Sequence, residues 1–288
     1  MRTEGEIKNL IVHFAANDER IRTVLLNGSR ANPNIEPDKL QDFDILFIVE
    51  NFESFVRDHS WTNFLGDKLI WQLPDEMGYV GEVNKIGFSY LMILKDGNRI
   101  DLTIFPIEQV VANYREDSLT VVWLDKDGLF PKEKNPSDKN YYVSRPTEKE
   151  FLETCNEFWW VSTYVAKGLL RNEIIYAKEM LETVVRLIFM KIIAWKIGSE
   201  NSFSVSIGKA GKYVNRYLAA SDFNKLMATY SDRNIEDNWK SLFIMIDLFG
   251  QFAEELSIKL KFTYNKEEQM NTLKYLMKQY IERENYHQ

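Results

Sequence analysis

The sequence is short of several residue types, and each shortage removes a class of function. One cysteine, Cys155, occurs in 288 residues. It has no partner for an internal disulfide, and a thiolate-rich metal site is excluded. Next to Phe158 and Trp159 it reads as a buried thiol. The three histidines, His13, His59 and His287, are scattered, and none is assigned to catalysis. A basic excess is also missing, since 36 Lys and Arg against 43 Asp and Glu give a net charge of −7. Proteins that grip a nucleic-acid backbone carry a basic face, so no nucleic-acid partner is expected. An acidic surface suits a cationic small molecule better. No apolar run is long enough to span a bilayer, because Val184–Trp195 is broken by Arg186 and Lys191. Glu4 and Glu6 interrupt the basic-then-apolar order of a signal peptide. A cytoplasmic protein with no membrane partner is expected, its oligomeric state open and a monomer the default.

What is present divides the chain in two. Hydrophobic residues make up 45% and charged residues 27%, enough for a core in each half. Thr3 and Glu6 form a capping-box pattern ahead of Ile7, Leu10, Ile11 and Phe14 at helical spacing. Ile21–Leu26 and Phe43–Val49 read as buried strands, with a short helix around Phe52–Asp58. Gly87–Leu94 and Arg99–Phe105 flank Asp96-Gly97-Asn98, a hairpin signal. Leu119–Leu124 is a candidate edge strand. Residues 131–147 hold three of the seven prolines and no helical period, as expected of a surface linker. Beyond it, Glu148–Leu170 and Asn172–Lys196 read as helices. Ile235, Trp239, Leu242, Ile246, Phe249, Ala253 and Leu256 mark a long amphipathic one. The expected fold is α+β: a mixed sheet flanked by helices over residues 1–135, then a helical bundle over 136–288.

Chemistry concentrates between Leu25 and Val49. A strand ends in Gly28-Ser29, a polar loop follows, and Asp42 and Asp44 open the next strand. Residues i and i+2 of a strand share a face, so both carboxylates aim at one point while Phe43 faces the core. Two gathered carboxylates need a cation, and Mg2+ is bound by one or two carboxylates together with phosphate oxygens. The Gly28-Ser29 turn offers N–H groups and a hydroxyl where a phosphate approaches without meeting a Cβ. Asp101 adds a third carboxylate on a later strand and shares its face with Arg99. An isolated Asp-x-Asp is usually a solvated edge; the full set is far rarer. Arg30, just after the turn, is a candidate phosphate contact, with a surface ion pair as the alternative.

This constellation resembles the signature of the DNA polymerase beta-like nucleotidyltransferase superfamily. More narrowly, MRTEGEIKNLIVHFA, RIRTVLLNGSRANPNI, QDFDILFIV, RIDLTIFP, CNEFWWVSTYVAKGLLR and SFSVSIGKAGKYV resemble the aminoglycoside 6-adenylyltransferases, also called streptomycin adenylyltransferases. The resemblance implies AMP transfer from Mg-ATP to a hydroxyl, at position 6, of streptomycin or a related aminoglycoside. Pyrophosphate would leave and the drug would be inactivated, an antibiotic-resistance activity. It implies that Gly28 and Ser29 hold the triphosphate, that Asp42 and Asp44 bind Mg2+, and that Asp101 is the general base. Lys209, in SIGKAGK, would contact the nucleotide. The helical half would bind the acceptor, with Glu157, Trp159, Tyr164, Glu179 and Glu182 as candidates to pair with or stack on guanidinium groups. Two alternatives stay open: a nucleotidyltransferase acting on RNA or protein, and a non-catalytic nucleotide-binding module.

Overall fold

The computed structural model describes residues 1–78, 86–110, 117–131 and 135–284; positions 132–134 of the expected linker and His287 lie outside them. The chain forms two units, Met1–Asn140 and Tyr141–Gln288. The architecture is α+β, with a mixed sheet in the first unit and helices in the second.

Helix α1 (Glu4–Asn17) starts at the Thr3 capping box, where the Thr3 hydroxyl accepts from the Glu6 N–H and the Glu6 carboxylate accepts from the Thr3 N–H at 2.7 Å. The strands are β1 (Ile21–Asn27), β2 (Phe43–Val49), β3 (Lys68–Gln72), β4 (Phe88–Leu94), β5 (Arg99–Pro106) and β6 (Thr120–Asp125). Their order is β3-β4-β5-β2-β1-β6. Only β2 and β5 run parallel among these neighbours; the other pairs are antiparallel. Strand β3 was not expected from sequence. It is a five-residue edge strand whose Leu69, Ile70 and Trp71 stay exposed, so its burial never alternates.

Alternation along the central strands gives the sheet two unlike faces. On one, Phe43, Ile45, Phe47, Ile100, Leu102 and Ile104 join Ile7 and Ile11 of α1 and Phe55 of the short helix α2 (Phe52–Val56) in the main core. Each such fully buried side chain contributes about 1.5–3 kcal/mol. On the other, a smaller cluster of Leu25, Leu46, Ile48, Phe105 and Phe130 covers only part of the sheet. Asp44, Arg99 and Asp101, at the beginnings of β2 and β5, are left accessible there.

In the second unit, α3 (Glu148–Leu170) repeats the capping-box start, with Thr147 and Glu150. The region read as one helix from Asn172 begins at Ile174, because Asn172 takes a left-handed conformation (φ 57°). It runs as α4 (Ile174–Glu179), a π-helical turn (Met180–Val185) and α5 (Arg186–Glu200). Then follow α6 (Ala220–Ala228), α7 (Ile235–Leu260) and α8 (Lys266–Ile281). Phe158 of α3 stacks on Phe249 of α7 at 3.6 Å, at the centre of this unit's core. No helix of the described residues is long and apolar enough to cross a membrane.

Candidate active site

The parallel pairing of β2 with β5 sets Asp44 directly opposite Asp101, with Phe43 opposite Ile100. Paired residues of adjacent strands point to the same face, so the two carboxylates emerge side by side while Phe43 and Ile100 anchor them in the core. Asp42 sits just ahead of β2, and its carboxylate lies 3.6 Å from the Arg99 guanidinium. Arg99 in turn grips Asp101 with two parallel bonds, Nε to Oδ1 at 3.0 Å and Nη2 to Oδ2 at 2.9 Å. Those bonds, and behind them the charges of Asp101, Asp42 and Asp44, hold the Arg99 pKa above its ordinary value. Arg99 thus bridges Asp42 and Asp101 on the open face of the sheet.

Gly28 closes the other side. It follows β1 at φ +74° and opens a 3₁₀ turn, Gly28–Ala31. A Cβ there would stand 2.0 Å from Asp44 Oδ2, so the turn packs backbone straight against the carboxylate. Asn27 pairs with Asp44 across β1 and β2, and its Oδ1 accepts from the Thr120 hydroxyl at 2.9 Å. The Ser29 carbonyl accepts from Gln41 Nε2 at 3.2 Å, tying the turn to the loop that carries Asp42.

Among the described residues, no group of three or more His, Cys, Asp or Glu side chains forms a metal cage on its own. Mg2+ needs no such cage, because substrate phosphates and waters complete its shell. Asp42 and Asp44 provide the hard oxygen ligands it prefers. The missing Cβ at Gly28 lets the turn backbone lie against the Asp44 carboxylate. The donor set therefore fits magnesium bound together with a nucleotide.

The other candidates fare differently. Arg30 is a brace: its guanidinium donates to the Gln41 carbonyl at 2.7 Å and the Asp42 carbonyl at 3.2 Å. It also pairs with Glu4 and lies 3.8 Å over the Phe43 ring, with its side chain 8% exposed. This corrects its assignment as a phosphate contact; it holds the Asp42 loop in place. Lys209 is exposed on a tight turn of the second unit.

Trp159 is a further correction. It is 1% exposed and packs edge-on against Phe158 and Phe249, so it belongs to the core. The accessible indole is Trp160, 61% exposed, whose Nε1 donates to the Tyr164 hydroxyl at 2.9 Å. Tyr164 is half-buried, with Lys167 4.7 Å from its ring centre. Glu157 and Glu179 are exposed. Glu182 is engaged internally, accepting from Lys178 at 3.2 Å and pairing with Arg186. Burial would raise its pKa, but the bonds and charges of Arg186 and Lys178 together hold it below the ordinary value. Glu182 is therefore not offered to an acceptor. Cys155 is buried as expected, and that burial, helped by Glu268, pushes its thiol up to about 12.

Sequence reading left Arg99 and Asn27 without roles. Strand alternation already put Arg99 on the Asp101 face. Asn27 became visible only through the β1–β2 register.

The model of the streptomycin adenylyltransferase family matches residues 1–279. The chain belongs to that family and is an adenylyltransferase by class. Three curated relatives are aminoglycoside 6-adenylyltransferases. The one from Bacillus subtilis is 41% identical over 265 residues, covering 92% of this chain and 93% of its own length. That from Campylobacter jejuni is 39% identical, covering 92% and 91%. That from Staphylococcus aureus is 37% identical, covering 92% and 94%. A crystal structure of an aminoglycoside 6-adenyltransferase from Bacillus subtilis aligns over 97% of this chain and 99% of that one, at 36% identity and a TM-score of 0.48.

Proposed function

We propose that this protein transfers AMP from Mg-ATP to a hydroxyl of an aminoglycoside, streptomycin or a close relative, at position 6. Pyrophosphate is released and the drug is inactivated. The observation that carries this reading is the side-by-side placement of Asp44 and Asp101, with Asp42 at the mouth of the same strand, against the backbone of the Gly28 turn. Near full-length relatives named aminoglycoside 6-adenylyltransferases support it.

The 28–31 turn and Ser29 cradle the triphosphate. Asp42 and Asp44 would hold Mg2+, which when bound would supply polarisation of the α-phosphate and charge neutralisation at the departing pyrophosphate. Asp101 takes the proton of the acceptor hydroxyl. The acceptor oxygen bonds to the α-phosphorus as the bond to the β-phosphate oxygen breaks in line. Orientation of the two reactants supplies much of the acceleration. The helical unit binds the cationic acceptor, with exposed Glu157 and Glu179 as its counter-charges and Tyr164 beside them in role. The donor is a cytoplasmic metabolite, so the reaction belongs in the cytoplasm.

The test is incubation with ATP, Mg2+ and streptomycin, followed by pyrophosphate detection and mass spectrometry of the drug. An AMP adduct on the streptomycin ring is expected. Turnover of RNA or a protein, with every aminoglycoside left unmodified, would overturn the proposal.

A further inference from the structure

Arg99 occupies an unusual place for a strand-opening arginine. Ile100 points into the core, so Arg99 and Asp101 project to the open face together. The guanidinium reaches two of the three acids, with a two-bond grip on Asp101 and Asp42 at 3.6 Å. Planar fork pairing of this kind is the strongest form a guanidinium makes with a carboxylate. Yet the Arg99 side chain is 46% exposed, so it is free to leave. Its other flank borders a shallow depression of about 440 Å³ lined by Ile70, Leu91 and Ile93, with no carboxylate among the described lining residues.

Two cations are therefore directed to the Asp42 carboxylate, and one of them also holds Asp101. Resting on the proposed metal site, we infer that Arg99 and the divalent cation are rivals for Asp42. Bare metal must displace the guanidinium without compensation. Metal arriving with a nucleotide brings phosphates, which take up the displaced guanidinium. Arg99 thus makes the site select the metal–nucleotide complex over free metal. Its departure also frees Asp101 to accept a proton. Arg99 is a positioning residue in this scheme: it acts on the acids and the phosphates, and forms no bond to the reacting atoms.

The experiment measures Mn2+ binding to the full chain by electron paramagnetic resonance, without nucleotide and again with saturating ATP and no acceptor. Wild type, Arg99→Gln, Arg99→Lys and Asp44→Asn are compared. Arg99→Gln should bind bare Mn2+ about fivefold more tightly, the scale of losing one partly exposed ion pair. Its preference for Mn-ATP over bare Mn2+ should fall by roughly tenfold or more, as one charge-assisted phosphate bond is also lost. Arg99→Lys keeps the charge but loses the fork, and should fall between. An unchanged preference in Arg99→Gln, with Asp44→Asn abolishing Mn2+ binding, would overturn the rivalry and leave the metal site standing. Mn2+ binding that is absent from wild type and from Arg99→Gln even with saturating ATP, or that is untouched by Asp44→Asn, would overturn the metal site and the rivalry together. Unfolding midpoints with and without Mg2+ give a second readout, with a larger Mg2+-dependent rise expected in Arg99→Gln than in wild type.

Discussion

The two units handle charge in opposite ways. In the first, three acids and one arginine gather on an open sheet face, and their closest partners are fixed by strand register. In the second, charges are dispersed as local helix pairs such as Lys149–Glu153, Lys178–Glu182 and Lys196–Glu200, four residues apart. Its centre is instead a largely apolar and aromatic core around Phe158, Trp159 and Phe249. Pairs of the second kind are worth a few tenths of a kcal/mol each and serve the helices that bear them. Like charges concentrated as in the first unit weaken a fold unless a cation answers them, so their presence signals chemistry. The first unit gives up stability at its site, and the second contributes it through its core.

Four substitutions probe that contrast. Asp101→Asn should cost on the order of 10²–10⁴ in kcat while leaving the unfolding midpoint within a few degrees, read by steady-state kinetics beside calorimetry. Trp159→Ala should do the reverse. It removes about 3–5 kcal/mol of stability and leaves kcat/KM per folded molecule near wild type, measured by urea denaturation and active-site titration. A large rate loss at Trp159 with little change in stability would restore it as an acceptor contact. Gly28→Ala should lower kcat by about 10², because a Cβ at 2.0 Å from Asp44 Oδ2 displaces that carboxylate. It should cost about 1–2 kcal/mol of stability for the left-handed backbone.

The smallest effect concerns Glu182→Gln. The Arg186 side chain is buried, and its guanidinium also donates to the Thr229 hydroxyl at 2.8 Å and to the Thr229 carbonyl. Removing its carboxylate partner should cost about 2 kcal/mol, less than for a fully buried pair because Glu182 is 31% exposed. The folded-state pKa of Glu182 is lowered from 4.5. Its contribution is therefore complete above that value and fades as pH falls through the lower folded one. The stability gap between wild type and variant should narrow below about pH 4.5, as followed by pH-dependent denaturation.

Most of the first unit was legible because strand signals there are local and strong. Phe43–Val49 is apolar at every position but Asp44, and Arg99–Phe105 alternates after its Asp-Gly turn. The three acids could be nominated from spacing alone, but their pairing could not. That Asp44 faces Asp101 depends on β2 and β5 becoming parallel neighbours, a tertiary choice. The second unit was legible in outline and misleading in detail. One helical step of about 100° separates buried Trp159 from exposed Trp160, and a list of aromatics does not register that step. The stripe Phe151, Cys155, Phe158, Ser162, Val165 would have put Trp159 at its flank and Trp160 outside. Helix α8 carries a weak pattern, since Met270, Tyr275, Met277 and Ile281 are exposed and only Leu276 is fully buried. The π turn at Met180–Val185 widens the backbone without any compositional mark.

The lone parallel junction has an architectural consequence. Antiparallel neighbours can be joined by a tight turn, but parallel ones need a long return path. That return includes α2, β3 and β4, and loop-closure cost grows only slowly with added length. Segments spliced into the path therefore leave the spacing of Asp44 and Asp101 intact as long as the ladder forms. The candidate site is insulated from growth or shrinkage of the chain between its two halves, and lineages can remodel that surface without moving the paired acids.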